Sequence, residues 1–208
     1  MNPEITRPVV LEGKIVRLEP LSMEHLPVLL ELSRLEDYPF TSVPHTEAGM
    51  RKYIQLALDE QAKGNAVPFV TTDKRLRQAV GSTRLANLEY WQWPEDSPLA
   101  RPGIPDAAEI GWTWLAPAGQ RSGVNTEAKL LMLSHAFEVW KVRRLTLKTD
   151  ERNLRSRNAI LQLGAKFEGV FRAHMPASDG GIRNSAMFSI LAEEWPAVKA
   201  GLVKKLGV

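Results

Sequence analysis

Short segments with one apolar face read as β-strands at Lys14–Glu19, Val67–Thr72, Gln78–Leu85, Ala108–Leu115 and Arg144–Thr149. Phe167–His174 and Ser185–Leu191 read as an antiparallel pair around Ser178-Asp179-Gly180-Gly181. Asp73–Arg77 reads as a hairpin turn. Helical spacing runs from Ser22 to about Leu35, with Pro27 unusually deep in its first turns. A second helix begins at Thr46 or Glu47 and reaches about Lys63, its apolar face made by Met50, Tyr53, Ile54, Leu56, Ala57 and Leu58. Thr126–Trp140, Asn153–Leu163 (stopped by Gly164) and Glu193–Leu206 (Pro196 in its first turn) complete the set.

The predicted order is β–α–α–β–β–β–α–β–α–β–β–α. It holds one β–α–β crossover, Ala108 to Thr149, whose right-handed path sets its two strands parallel. The hairpins on either side make the remaining pairs antiparallel. The expected fold is α/β (α+β): one mixed, mostly antiparallel sheet of about seven strands, helices on both faces, one parallel splayed pair, and a single domain over residues 1–208. Leu88–Asp106 interrupts the pattern with Trp91, Trp93 and four prolines (Pro94, Pro98, Pro102, Pro105). It can be neither a central strand nor a helix. It reads as a long structured loop, either functional or a surface excursion pinned by its tryptophans or by a dimer contact.

Composition narrows the field. At 208 residues and 44% hydrophobic, the chain can bury a core, which excludes general disorder. It has no cysteine, which excludes disulfide scaffolds, thiolate metal sites and cysteine nucleophiles. A net charge of +3 suits one phosphate-binding patch better than a nucleic-acid surface. No apolar run has the roughly 18 residues of a membrane span. The start, MNPEITRPVV, shows no secretory pattern, so cytoplasm is the expected compartment.

Two helix starts carry the chemistry. At Gln120-Arg121-Ser122-Gly123-Val124-Asn125-Thr126, unpaired backbone N–H groups, a partial positive charge, a glycine and an arginine together suit a pyrophosphate or similar anion. The same residues also read as an ordinary helix start capped by Asn125 or Thr126. No Walker-type Gly-Lys-Ser/Thr follows. At Asp150–Arg157 (DERNLRSR), Asn153 is a natural cap, Ser156 lies on the first turn, and Arg152, Arg155 and Arg157 are either solvated or turned to the same ligand.

The run EIGWTWLAPAGQRSGVNTEAKLLML followed by LKTDERNLRSRNAILQLGAKFEG resembles the GNAT superfamily of acyl-coenzyme A N-acyltransferases, in particular the Rim-type ribosomal-protein N-terminal acetyltransferase branch. The likeness covers nearly the whole chain. The family signature Gln/Arg-x-x-Gly-x-Gly/Ala falls on Gln120 to Asn125, with Asn125 in place of a small residue. The resemblance implies acetyl-coenzyme A as co-substrate and no metal. It implies that the backbone of Arg121, Ser122, Gly123, Val124, Asn125 and Thr126 holds the pyrophosphate. It further implies that Leu115 pairs with the pantetheine arm, that Asn153 bonds the arm, that Ser156 lies near the thioester sulfur, and that Arg155 or Arg157 meets the ribose phosphate. Family members commonly carry a tyrosine on the second helix as acid for the leaving thiolate; this chain has Ile160 near that place, leaving Ser156, a water or no acid at all.

For direct attack by a neutral amine, Glu109 is the first candidate base and Glu89 the second; His174 is a weaker candidate and His135 reads as packing. The acceptor is expected between the Tyr38–His45 loop and the Trp91/Trp93 loop. Its identity stays open among protein N-termini, amino acids, polyamines and antibiotics. No nucleic-acid or membrane partner is expected, and a homodimer is plausible. A longer acyl donor and a non-catalytic acyl-coenzyme A sensor are the competing readings.

Overall fold

The computed structural model describes residues 4–207. The ends of the expected 1–208 domain, and the first three residues of the MNPEITRPVV start, lie outside them. The sheet has eight strands: β1 (Leu11–Glu12), β2 (Val16–Pro20), β3 (Ala66–Asp73), β4 (Gln78–Glu89), β5 (Ala107–Leu115), β6 (Arg144–Asp150), β7 (Lys166–Pro176) and β8 (Ile182–Leu191). Their order is β1-β2-β3-β4-β5-β6-β8-β7, and every pair is antiparallel except β5–β6. The eighth strand, β1, is two residues long, too short for a periodicity to reveal.

The helices are α1 (Leu26–Ser33), α2 (Glu47–Ala62), α3 (Val124–Ser134), α4 (Leu154–Gln162) and α5 (Trp195–Leu206). A 3₁₀ turn at Met23–His25 precedes α1, which puts Pro27 within α1's own first turn and removes the apparent conflict. Thr46 caps α2 by accepting the Gly49 N–H at 3.2 Å. The long helix starts two residues earlier than its periodicity suggests and ends sooner, its last turn widening to a π-helix at His135–Val139.

The sheet separates two cores. Leu145, Leu147, Ala186, Phe188 and Ile190 pack with α3, α4 and α5 on one face. On the other, Val70, Trp114 and Ala116 pack with α1 and α2. Arg144, Thr146, Lys148, Ser185 and Ser189 alternate with that first set and so give the β6–β8 half of the second face a polar floor. The loop from α1 to α2 reaches over it: Ser178 Oγ donates to the Pro39 carbonyl and the Arg152 guanidinium lies 5.4 Å from the Phe40 ring centroid.

Gly13 and Glu127 tie α3 to the sheet. The Glu127 carboxylate accepts the backbone N–H groups of Lys14, Ile15 and Val16 at 3.0, 2.7 and 2.7 Å. A side chain at Gly13 would begin 2.4 Å from that carboxylate. Sequence reasoning missed this contact because its partners are more than 110 positions apart.

Candidate active site

Strands β5 and β6 pair only from Ala107 to Ile110 and from Arg144 to Leu147. Beyond that they part, and β5 carries a left-handed residue at Trp112 (φ 50°). Its free edge ends at Leu115, just before the turn into α3. That turn places Arg121 (φ 53°) and Gly123 (φ 85°) in the left-handed region. Gly123 itself is the residue that caps α3, so neither Asn125 nor Thr126 does so. A Cβ at Gly123 would meet Ile15 Cδ1 at 3.3 Å besides being strained, which explains the glycine. Ser122 Oγ donates to the Gly119 carbonyl at 2.8 Å. Among the described residues, the amides of Arg121, Ser122, Gly123, Asn125 and Thr126 have no acceptor, and Arg121 is exposed beside them. Bare N–H groups at a helix start suit an anion.

The second helix start lies across the gap. Asn153 Oδ1 caps α4 by accepting the Ser156 N–H at 3.0 Å, which leaves the Asn153 Nδ2 hydrogens to another partner. Arg155 reaches back to the cradle and donates to Gln120 Oε1 at 3.1 Å. Arg157 turns away instead: it donates to the Glu151 carbonyl at 3.1 Å and stacks over Phe167. Arg152 is held by Asp150 and Asp179. Of the three arginines, Arg155 alone faces the first helix start.

Leu115 sits where the two starts meet. Its carbonyl accepts from Gln120 Nε2 at 2.8 Å and from the Tyr38 hydroxyl at 3.4 Å, and Gln120 also donates to Glu36. Burial, helped by Glu36, pushes Tyr38 up to about 12, so it remains a donor. No tyrosine stands on α4; Tyr38 reaches the site from the loop before α2, a placement that only the tertiary fold creates.

Glu109 lies one residue before β5 and β6 part, on the face opposite Ile110. Its carboxylate accepts from Lys148 Nζ at 2.8 Å and from Asn87 Nδ2 at 3.1 Å. Gly111 keeps room for it, since a Cβ there would stand 3.0 Å from Glu109 Oε1. Glu89 is elsewhere: it lies opposite Ala107, at the far end of β5, and accepts from Trp91 Nε1. The Trp91/Trp93 loop sits at that same end, gathered on Asp106, which accepts from Trp91 N and Trp93 Nε1 and pairs with Arg143. An extended β5 puts it about 25 Å from Leu115, at the other end of the strand, while Glu109 lies only two residues from Ala107. The Tyr38–His45 loop does adjoin the gap. His135 packs edge-on against Trp140, as expected.

His174 is on the polar floor, in a β7 bulge where Ala173 has φ 48°. Its Nδ1 lies 2.9 Å from the buried Ser185 Oγ, and Arg183 Nε donates to the same oxygen at 2.9 Å. Arg183 has no lone pair to accept a proton, so the lone Ser185 proton is best satisfied by His174 Nδ1. That leaves His174 neutral with its hydrogen on Nε2. Burial, with Lys148 and Arg183 nearby, lowers its pKa and favours the same state.

The acetyltransferase (GNAT) domain model matches residues 16–166. A T. thermophilus protein assigned as an acetyltransferase is 35% identical, over 96% of this chain and 97% of its own, with a TM-score of 0.77. A GCN5-related N-acetyltransferase from Brucella melitensis is 30% identical, over 95% of this chain and 85% of its own, also at 0.77. Mycobacterium smegmatis RimJ, solved with a CoA disulfide, shares the fold at 22% identity and a TM-score of 0.74, over 96% of this chain and 94% of its own. No curated protein is significantly similar to the chain. Among the described residues no helix is long and apolar enough to cross a membrane. A parted strand pair ending in a bare-amide helix start and a family model spanning most of the sheet lead to one assignment: the chain belongs to the GNAT acetyltransferase family and is an acyl-CoA-dependent acetyltransferase.

Proposed function

We propose that the chain, acting as a single cytoplasmic domain, transfers the acetyl group of acetyl-coenzyme A to a primary amine by direct attack in a ternary complex. The observation that carries this reading is the set of unpaired amides of Arg121, Ser122, Gly123, Asn125 and Thr126 beside the parted β5–β6 edge. The amides of residues 121–126 hold the diphosphate, with Gln120 and Val124 shaping the turn and Arg121 and Arg155 adding charge. The pantetheine arm lies in the gap along β5. Taking up the Leu115 carbonyl requires Gln120 Nε2 to let go of it. Asn153 Nδ2 and the Ser156 hydroxyl meet the arm from the other side.

The chemistry is then mainly positioning. The amine nitrogen attacks the carbonyl carbon, the new C–N bond forms, and the C–S bond breaks. The thiolate is a good leaving group because thiols ionise near 8.5, so the absence of a tyrosine from α4 is tolerable. The amine proton passes to Glu109, directly or through a water, with Lys148 fixing the carboxylate. An α-amine, with a pKa of about 8, is neutral in roughly a tenth of molecules at pH 7, so a modest base suffices.

The test is release of free thiol from acetyl-coenzyme A with a panel of amines that includes peptides with an N-terminal Ser or Ala. Turnover with at least one amine supports the reading. Tight coenzyme binding with no release from any amine would replace it with the sensor.

A further inference from the structure

The charged groups on the polar floor are matched almost throughout. Glu109 pairs with Lys148, Asp150 and Asp179 with Arg152, and Glu168 with Arg144. Glu151 accepts from Asn184 Nδ2. Arg183 is the exception among those floor cations. Its Nε is committed to Ser185 Oγ, and its two terminal nitrogens have no partner among the described residues. It is half-buried, and burial lowers its pKa while Asp150 and Glu109 act on it from a distance. A half-withdrawn guanidinium with free N–H groups in a fixed fork suits a planar carboxylate.

Its neighbour completes the pattern. Arg183 Nε and His174 Nδ1 share one hydroxyl, so the two rigid groups lie within about 6 Å of each other. His174 in the tautomer set by Ser185 presents Nε2–H, a second donor, and Phe171 holds the ring edge-on. Glu109 lies within electrostatic reach of both. A donor pair for an anion therefore stands near Glu109, the proposed base for the amine, which Lys148 holds in place. The geometry points to an acceptor of the amino-carboxylate class, a small amine carrying its own carboxylate, with Arg183 as the specificity-determining residue and His174 as its helper. This rests on the acetyl-transfer reading above and narrows its acceptor.

The experiment compares free amino acids with the matching amino-acid amides and with a polyamine, following thiol release from acetyl-coenzyme A. Free amino acids are expected to exceed their amides at least tenfold in kcat/KM. R183Q should raise KM for the free acids at least tenfold, leave the amides within twofold, and leave coenzyme affinity unchanged; R183K should fall between. As a readout apart from turnover, an amino acid added to the coenzyme-bound protein should raise Tm in the native chain and not in R183Q. Equal turnover of acids and amides, or equal losses in R183Q, would overturn the assignment while leaving acetyl transfer intact. Silence toward every amine would sink both together.

Discussion

Lys129 shows how much a single residue can weigh. It lies on α3, fully inside, and its Nζ donates to Thr113 Oγ1 at 2.6 Å and Thr83 Oγ1 at 3.1 Å, with no carboxylate among these contacts. Burial lowers its pKa from 10.5 to about 7. The unfolded chain therefore binds the proton more tightly, and stability rises with pH from about 7 to 10.5 as that difference is relieved. Below pH 7 both states are charged and the penalty is constant, at most about 4–5 kcal/mol. K129M should raise Tm at pH 7, by roughly 1–3 kcal/mol in stability, and flatten the rise of Tm between pH 7 and 10. Thermal melts across that range check it; an unchanged slope in K129M would remove Lys129 as its source. Glu127 works in the opposite sense. Replacing it with Gln puts an NH₂ among three donating amides, and E127Q should lose about 2–4 kcal/mol in denaturant unfolding. Neither residue stood out in the sequence, because a charged side chain on a helix reads as solvated until the opposing segment is known.

At the scale of elements, the two helix starts can be separated experimentally. Asn153 both caps α4 and offers Nδ2. N153A should lose about 1 kcal/mol of stability together with coenzyme affinity, whereas N153D keeps the cap and should lose affinity alone. Calorimetric binding paired with melts distinguishes them; coenzyme affinity unchanged in both variants would refute the ligand role. G123A strains a left-handed turn and presses on Ile15, so it should cost about 1–2 kcal/mol and weaken coenzyme binding. Elements of this kind were legible from the chain because their signals are local. Asn153 at a helix start and Gly164 (φ 96°) past its end are position-specific choices. The start of α3 was misjudged by two residues because its cap is a backbone glycine with no side chain to announce it.

For the whole molecule, the crossover from β5 to β6 is the decisive feature, and its parallel sense followed from the helix between the two strands, which returns the chain to the same end of the sheet. What the chain did not disclose is which loops reach which end of the sheet. Both loops with aromatic residues, Tyr38–His45 and Trp91/Trp93, are expected against the acceptor. Folding sends Tyr38 to the parted edge and binds Trp93 to Asp106 at the opposite end. Tyr38, Gln120, Glu36 and Arg155 come from three separate segments, so their meeting at Leu115 is a property of topology rather than of any motif.

The account turns on the bare amides ahead of α3. Amide NMR of the labelled protein, titrated in parallel with acetyl-coenzyme A and with S-acetylpantetheine, which lacks the diphosphate, tests it most directly. The full coenzyme should shift Arg121, Ser122, Gly123, Asn125 and Thr126 strongly, and the truncated one should leave them near their free positions. Saturating coenzyme that moves other residues and leaves these five unmoved would contradict the account.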